Sequence, residues 1–142
     1  MIVRHIVRFR STLPKDIIET EDGSGFVQPP GKSVADALEE IFRTLGFDVD
    51  GPDPESDFVW EMGVSKGSRN FGAWLNLVDD YYLTFKNPSS IDRLLGRIPE
   101  AYVDLLRGCS RELGADPRFS DVRWFTHREL DGDAPGEAEP VA

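Results

Sequence analysis

The stretch that most restricts the fold is Phe58–Lys86, where three short runs alternate apolar and polar residues with period two. Phe58, Trp60, Met62 and Val64 alternate with Val59, Glu61 and Gly63; Phe71, Ala73, Leu75 and Leu77 alternate with Gly72, Trp74, Asn76 and Val78; Tyr81, Leu83 and Phe85 alternate with Tyr82, Thr84 and Lys86. Successive side chains of a strand point to opposite faces, so each run has one apolar and one mixed face. The joints Ser65-Lys66-Gly67-Ser68 and Asp79-Asp80 suit tight turns. The segment therefore predicts a meander of two consecutive hairpins. Its apolar face needs a cover, which the meander cannot supply itself.

Two helical patterns offer that cover. Val34, Leu38, Ile41, Phe42 and Leu45 recur at helical spacing, with Ser33 as the expected N-cap and Gly46 as the stop. Tyr102, Leu105, Leu106, Cys109 and Leu113 make a second stripe, with Pro99 at its first turn and Gly114 at its end. Val3–Arg10 reads as a strand with Arg4, Arg8 and Arg10 turned to water, and Val122–Thr126 as a last strand. Residues 11–32 and the acidic, proline-bearing Asp48–Asp57 segment read as connections. Ile91–Gly96 reads as a short helix capped by Ser90. The order β-α-β-β-β-α-β is not a strict alternation, which disfavours a doubly wound parallel sheet. It predicts a two-layer α+β sandwich: a mostly antiparallel, twisted sheet of four to five strands with two amphipathic helices on one face. The chain's 142 residues suit one domain, taken as 1–128, with 129–142 as an acidic disordered tail.

The charge is lopsided. Acids outnumber bases 26 to 16, giving a net charge of −10. Residues 16–57 hold 12 acids against Lys32 and Arg43. A field of this sign repels nucleic acid and anionic membrane and speeds encounter with a basic protein. No run of 18 apolar residues exists to span a bilayer, and the N-terminal decapeptide lacks the apolar core of a signal peptide. Cys109 is the single cysteine, so no intrachain disulfide forms and a cytoplasmic location is expected.

The chemistry-bearing motifs fail one by one. A calcium loop beginning at Asp48 would place Pro52 at a ligand position and Val59 where a bidentate glutamate belongs. Lys66 precedes Gly67, and a strand follows, so Gly63–Ser68 is not a phosphate-binding loop. Cys109 lies on an apolar helix stripe, where a thiol is inert. His5 and His127, from the first and last strands, are able to meet, yet His5 has the apolar parity of its strand and a core role is the simpler expectation. No catalytic residue, metal site or cofactor is expected.

The mixed face of the meander remains. Trp74, Tyr82, Glu61, Asn76 and Lys86 combine aromatic rings with isolated charges, the composition of protein-binding hot spots. In size, acidity and element order the chain resembles bacterial toxin-neutralising immunity proteins and secretion chaperones. That class-level resemblance implies a non-enzymatic binding domain that neutralises or escorts a basic protein. A homodimer over the same face is compatible with it. The alternatives are a small-molecule-binding domain or an enzyme with its site between helices and sheet, for which Trp60, Met62, Phe42 and Tyr102 would line a cavity.

Overall fold

The computed structural model describes residues 1–142 as a six-stranded antiparallel sheet with two helices packed on one face. The strands are β1 (Ile6–Ser11), β4 (Asp48–Ser56), β5 (Val59–Lys66), β6 (Arg69–Leu77), β7 (Tyr81–Lys86) and β8 (Phe119–Phe125), in the spatial order β4-β5-β6-β7-β1-β8. The covering helices are α1 (Lys32–Thr44) and α3 (Glu100–Ala115). A two-stranded ribbon, β2 (Ile18–Glu19) and β3 (Phe26–Gln28), and two short helices, α2 (Ser90–Leu94) and α4 (His127–Asp131), complete the chain. This is a two-layer α+β fold.

One core holds the layers together. Leu38 and Phe42 from α1 and Leu105, Leu106, Cys109 and Leu113 from α3 are fully buried against the inward residues of the sheet. Phe42 meets Phe85 edge-on at 5.9 Å, and Phe85 stacks on Trp124 at 6.0 Å. The buried indoles are satisfied: Trp60 Nε1 donates to the Pro30 carbonyl at 3.0 Å, and Trp124 Nε1 donates to Ser110 Oγ at 3.1 Å.

The structure corrects several expectations. Asp48–Ser56 is a strand, not a loop, and raises the strand count to six. It lies at the sheet edge, where only one side needs pairing, so Pro52, Pro54 and a row of acids are tolerated and shield the edge from other chains. Residues 18–28 form the β2–β3 ribbon inside what reads as a connection. Gly31, not Ser33, precedes α1, and Ser33 Oγ turns instead to the Asp16 carboxylate. Ser89, not Ser90, caps α2, accepting from the Asp92 amide at 3.2 Å. Arg4 is buried rather than solvated, its guanidinium on Glu129 at 2.9 Å.

The largest correction concerns residues 129–142, expected to be disordered. Thr126 and Glu129 form a capping box that starts α4. The chain then runs back beside β8 and the N-terminal residues that precede β1. Trp124 and Glu137 exchange backbone hydrogen bonds at 2.7 and 2.9 Å, Ile2 and Ala142 at 3.1 and 3.0 Å, and the Arg4 amide donates to Pro140 at 2.7 Å. Gly136 lies so close to the Phe125 ring that an added Cβ would sit 2.6 Å from Phe125 Cζ. Backbone pairing, an aromatic lid and the Arg4–Glu129 pair supply what the tail's composition lacks.

Two outcomes follow for stability. Leu38→Ala or Leu106→Ala should each cost about 2–5 kcal/mol in urea unfolding, the range for a fully buried leucine; near-neutral effects from both would contradict a shared core. Removing residues 133–142 uncovers Phe125 and should lower Tm by at least about 4 °C. An unchanged calorimetric midpoint would mean that the pairing adds nothing.

Candidate functional site on the open face of the sheet

Helices cover only one face of the sheet. Register fixes what the other face shows. One cross-strand row runs Glu61–Trp74–Thr84–Ile6–Phe125, and the next runs Val59–Asn76–Tyr82–Arg8–Arg123. A third brings Gly63, Gly72 and Lys86 into line. The five residues singled out from the sequence, Trp74, Tyr82, Glu61, Asn76 and Lys86, therefore all lie on one face, as period two requires.

The C-terminal segment covers one end of this face. Phe125 and Ile6 are buried; Gly136 lies against the Phe125 ring, and Arg8 stacks over that ring at 4.9 Å. The Trp74 end stays open. There Val59, Trp74, Asn76, Thr84, Lys86 and His127 line a groove of about 450 Å³. Trp74, Asn76 and Lys86 meet in it. Tyr82 lies in the neighbouring row, between Asn76 and Arg8, and Glu61 lies opposite Trp74 on the β5 side.

Gly72 explains the pose of Trp74. A Cβ built on Gly72 would fall 2.7 Å from Trp74 Cη2 and 2.8 Å from Cζ3. The indole is thus laid flat along its own strand over the missing side chain, with one ring face outward. Lys86 Nζ stands 5.9 Å from that ring. On the other flank, Glu61 is paired in register with Asp53 and crowded by Glu55. Hydrogen bonding with Glu55, then loss of water, then the charges of Glu55 and Asp53 push the Glu61 carboxyl above its ordinary value. The face is therefore graded, from carboxylates at the β4–β5 edge, across Trp74, to Lys86, Arg8 and Arg123.

The two histidines approach each other, but in separate roles. His5 Nδ1 is 2.7 Å from the Tyr102 hydroxyl at the core boundary, and burial first, then the charge of His127, lowers its pKa. His127 forms part of the groove wall. No group of three or more His, Cys, Asp or Glu side chains converges to hold a metal ion. Cys109 is fully buried, and burial and Glu112 raise its thiol pKa. Arg8, Arg123, Val59 and His127 were not among the sequence-predicted site residues. Arg8 had the outward parity, but its position beside β7 depends on long-range pairing.

Compared with known proteins, the chain matches no protein-family model, no curated protein and no solved structure. No helix is long and apolar enough to cross a membrane.

The crowding at Glu61 has a pH signature. A carboxyl raised on folding contributes favourably below the unfolded value and loses that contribution as pH rises through the folded value. Replacing it by a neutral amide therefore removes a repulsion present at neutral pH. Glu61→Gln should raise Tm at pH 7 and leave it nearly unchanged near pH 4. A fall at pH 7 would show that Glu61 makes a net favourable contact.

Proposed function

We propose that this chain is a non-enzymatic binding domain that takes a basic segment of another protein on its open sheet face, and so neutralises or escorts that protein. The observation that carries the reading is Trp74, held flat over Gly72 at the mouth of a groove and flanked by the Glu61–Glu55–Asp53 carboxylates. An outward indole beside an anionic cluster suits an arginine or lysine, whose charge relieves the carboxylate repulsion while its stem lies on the ring. The net charge of −10 steers a basic partner toward the domain.

The packing supports this reading over a ligand cavity between layers. Trp60, Met62, Phe42 and Tyr102 are all buried in the common core instead of lining such a cavity. The groove is open, with Trp74 as its half-exposed aromatic beside Asn76, Thr84, Lys86 and His127, which suits a protein side chain entering from above.

The partner is found by capture from the native cells and measured by titration calorimetry. Trp74→Ala should weaken binding by at least about 2 kcal/mol, the scale of a central aromatic anchor, with Tyr82→Ala smaller because it lies outside the groove. Glu61→Gln should also weaken it, while Lys86→Ala should leave it unchanged or tighter by removing a competing cation from the ring. The opposite pattern, loss with Lys86→Ala and none with Glu61→Gln, would assign an acidic partner and overturn the proposal.

A further inference from the structure

The segment between β7 and α3 carries apolar side chains outward on a rigid support. Ile91, Leu94 and Leu95 recur at helical spacing along α2 and its C-cap, and all three are exposed, Leu94 by 87%. The residue of α2 that turns inward is a charge: Asp92 is only 1% exposed. Its Oδ2 accepts from Arg69 Nη1 at 2.8 Å and Asn87 Nδ2 at 3.1 Å, and its Oδ1 accepts from Arg97 Nε at 2.8 Å. A Schellman turn closes the helix, with the Gly96 amide on the Arg93 carbonyl at 3.2 Å and the Arg97 amide on the Asp92 carbonyl at 2.8 Å. An apolar contact usually seals such a turn; here the Arg97–Asp92 ion pair takes its place, and the aliphatic side chains face water. Asp92 is the only acid in residues 87–98 and is consumed inside, while Arg93 is exposed beside Leu94, so the outward charge of this knob is positive.

The open sheet face presents the complement. Its groove of about 450 Å³ offers apolar surface from Val59 and Trp74. Directly across from Trp74 in register stands Glu61, itself paired with Asp53 and crowded by Glu55. A side chain entering the groove from a basic, aliphatic protrusion therefore meets apolar surface first and carboxylates on one flank. The knob is held away from the groove of its own chain. Asp92 hangs from Arg69, which shares the strand parity of Phe71, Ala73 and Leu75 on the helix-covered side, whereas Trp74 has the opposite parity. Arg69 and Trp74 also lie about 17 Å apart along β6.

We propose that the α2 knob of one copy docks in the open groove of a second copy, giving a weak self-association of this chain. Leu94 enters the groove beside Val59, and Arg93 lies on the Trp74 ring toward Glu61. Both surfaces are set before they meet, the knob by its Asp92 anchor and the ring by Gly72, so little side-chain entropy is lost on docking. The contact is heterologous, joining two different surfaces of the same chain. It rests on the reading of the open face as a site for basic segments, and it names one such segment. A docked knob masks Trp74, so self-association competes with any other basic partner for the same face.

The test is sedimentation equilibrium of the full chain from about 10 μM to about 1 mM, the range that reports weak association. The weight-average mass should rise with concentration, and raising salt from about 0.02 to about 0.5 M should weaken the rise by shortening the screening length. Leu94→Asp, with Arg93→Glu as a second knob variant, and Trp74→Ala, with Glu61→Gln as a second groove variant, should each weaken association roughly tenfold or more. An equimolar mixture of Leu94→Asp and Trp74→Ala chains should form a dimer and stop there, because one intact knob meets one intact groove. Circular dichroism of each variant checks the fold. A monomer throughout the range, association unaffected by either knob variant, or a mixture that stays monomeric would overturn the proposal. A poly-arginine peptide, titrated separately, tells this failure from that of the binding-face reading. A monomeric chain that binds the peptide through Trp74 leaves that reading standing and removes self-docking alone; a monomeric chain whose peptide binding is absent or indifferent to Trp74→Ala removes both.

Discussion

The insertion of β1 between β7 and β8 is the pairing on which the sheet depends. Residues 6–9 register with 84–81 on one side, and residues 6–11 register with 125–119 on the other. Without β1 the β4–β7 meander and β8 share no hydrogen bonds. The core depends on it too, because Val7 and Phe9 lie at its middle and Phe9 packs on both Tyr81 and Phe119. The pairing is long-range and antiparallel on both sides, so its loop-closure entropy must be met before its contacts form. The same strand also delivers Arg8 and Ile6 to the open face. The insertion thus sets the composition of the candidate site and the alignment of the layers together.

Much of this was legible because period two is strict. The meander, both covering helices and their buried faces follow from residue spacing alone, and so does the shared face of Trp74, Tyr82, Glu61, Asn76 and Lys86. What escaped was set by pairing between distant parts of the chain. Prolines and acids make Asp48–Ser56 read as a loop, since composition does not reveal that a one-sided edge strand tolerates both. The segment after Glu129 reads as disordered because its partners, Ile2, Arg4 and Trp124, lie elsewhere in the sequence. The groove itself was half visible. Its aromatic and polar lining follows from parity, but its His127 wall depends on where α4 turns.

Charge is used here to place segments as much as to keep the surface hydrated. Glu129 is held below the ordinary carboxylate range first by the hydrogen bond from Arg4 and then by the Thr126 amide. One side chain thus caps α4 and ties the C-terminal segment to the N-terminal strand. Asp92 is held low first by Asn87 and then by Arg97 and Arg69. That ties the β7–α3 connection to the start of β6. A buried carboxylate of this kind confers position more than stability, since its desolvation offsets much of the attraction. In both places the ion pair fixes geometry where apolar contact is thin, and the consequence at α2 is that aliphatic side chains are left to face water.

The C-terminal segment gives the open face its polarity. It lies against the Phe125 ring and pairs with the free edge of β8, so that edge is closed to other chains. The other edge, β4, is guarded by proline and carboxylate. What remains open lies between these two guarded margins: Trp74 on Gly72, with carboxylates on one flank and Lys86 and His127 on the other. An indole kept from turning inward by its own strand and kept from being covered by the tail stays available at little cost in side-chain entropy, since its pose is set before any partner arrives. A ring held this way is what the proposed binding role would use, and Trp74, Thr84 and Asn76 stay only half-buried on that face.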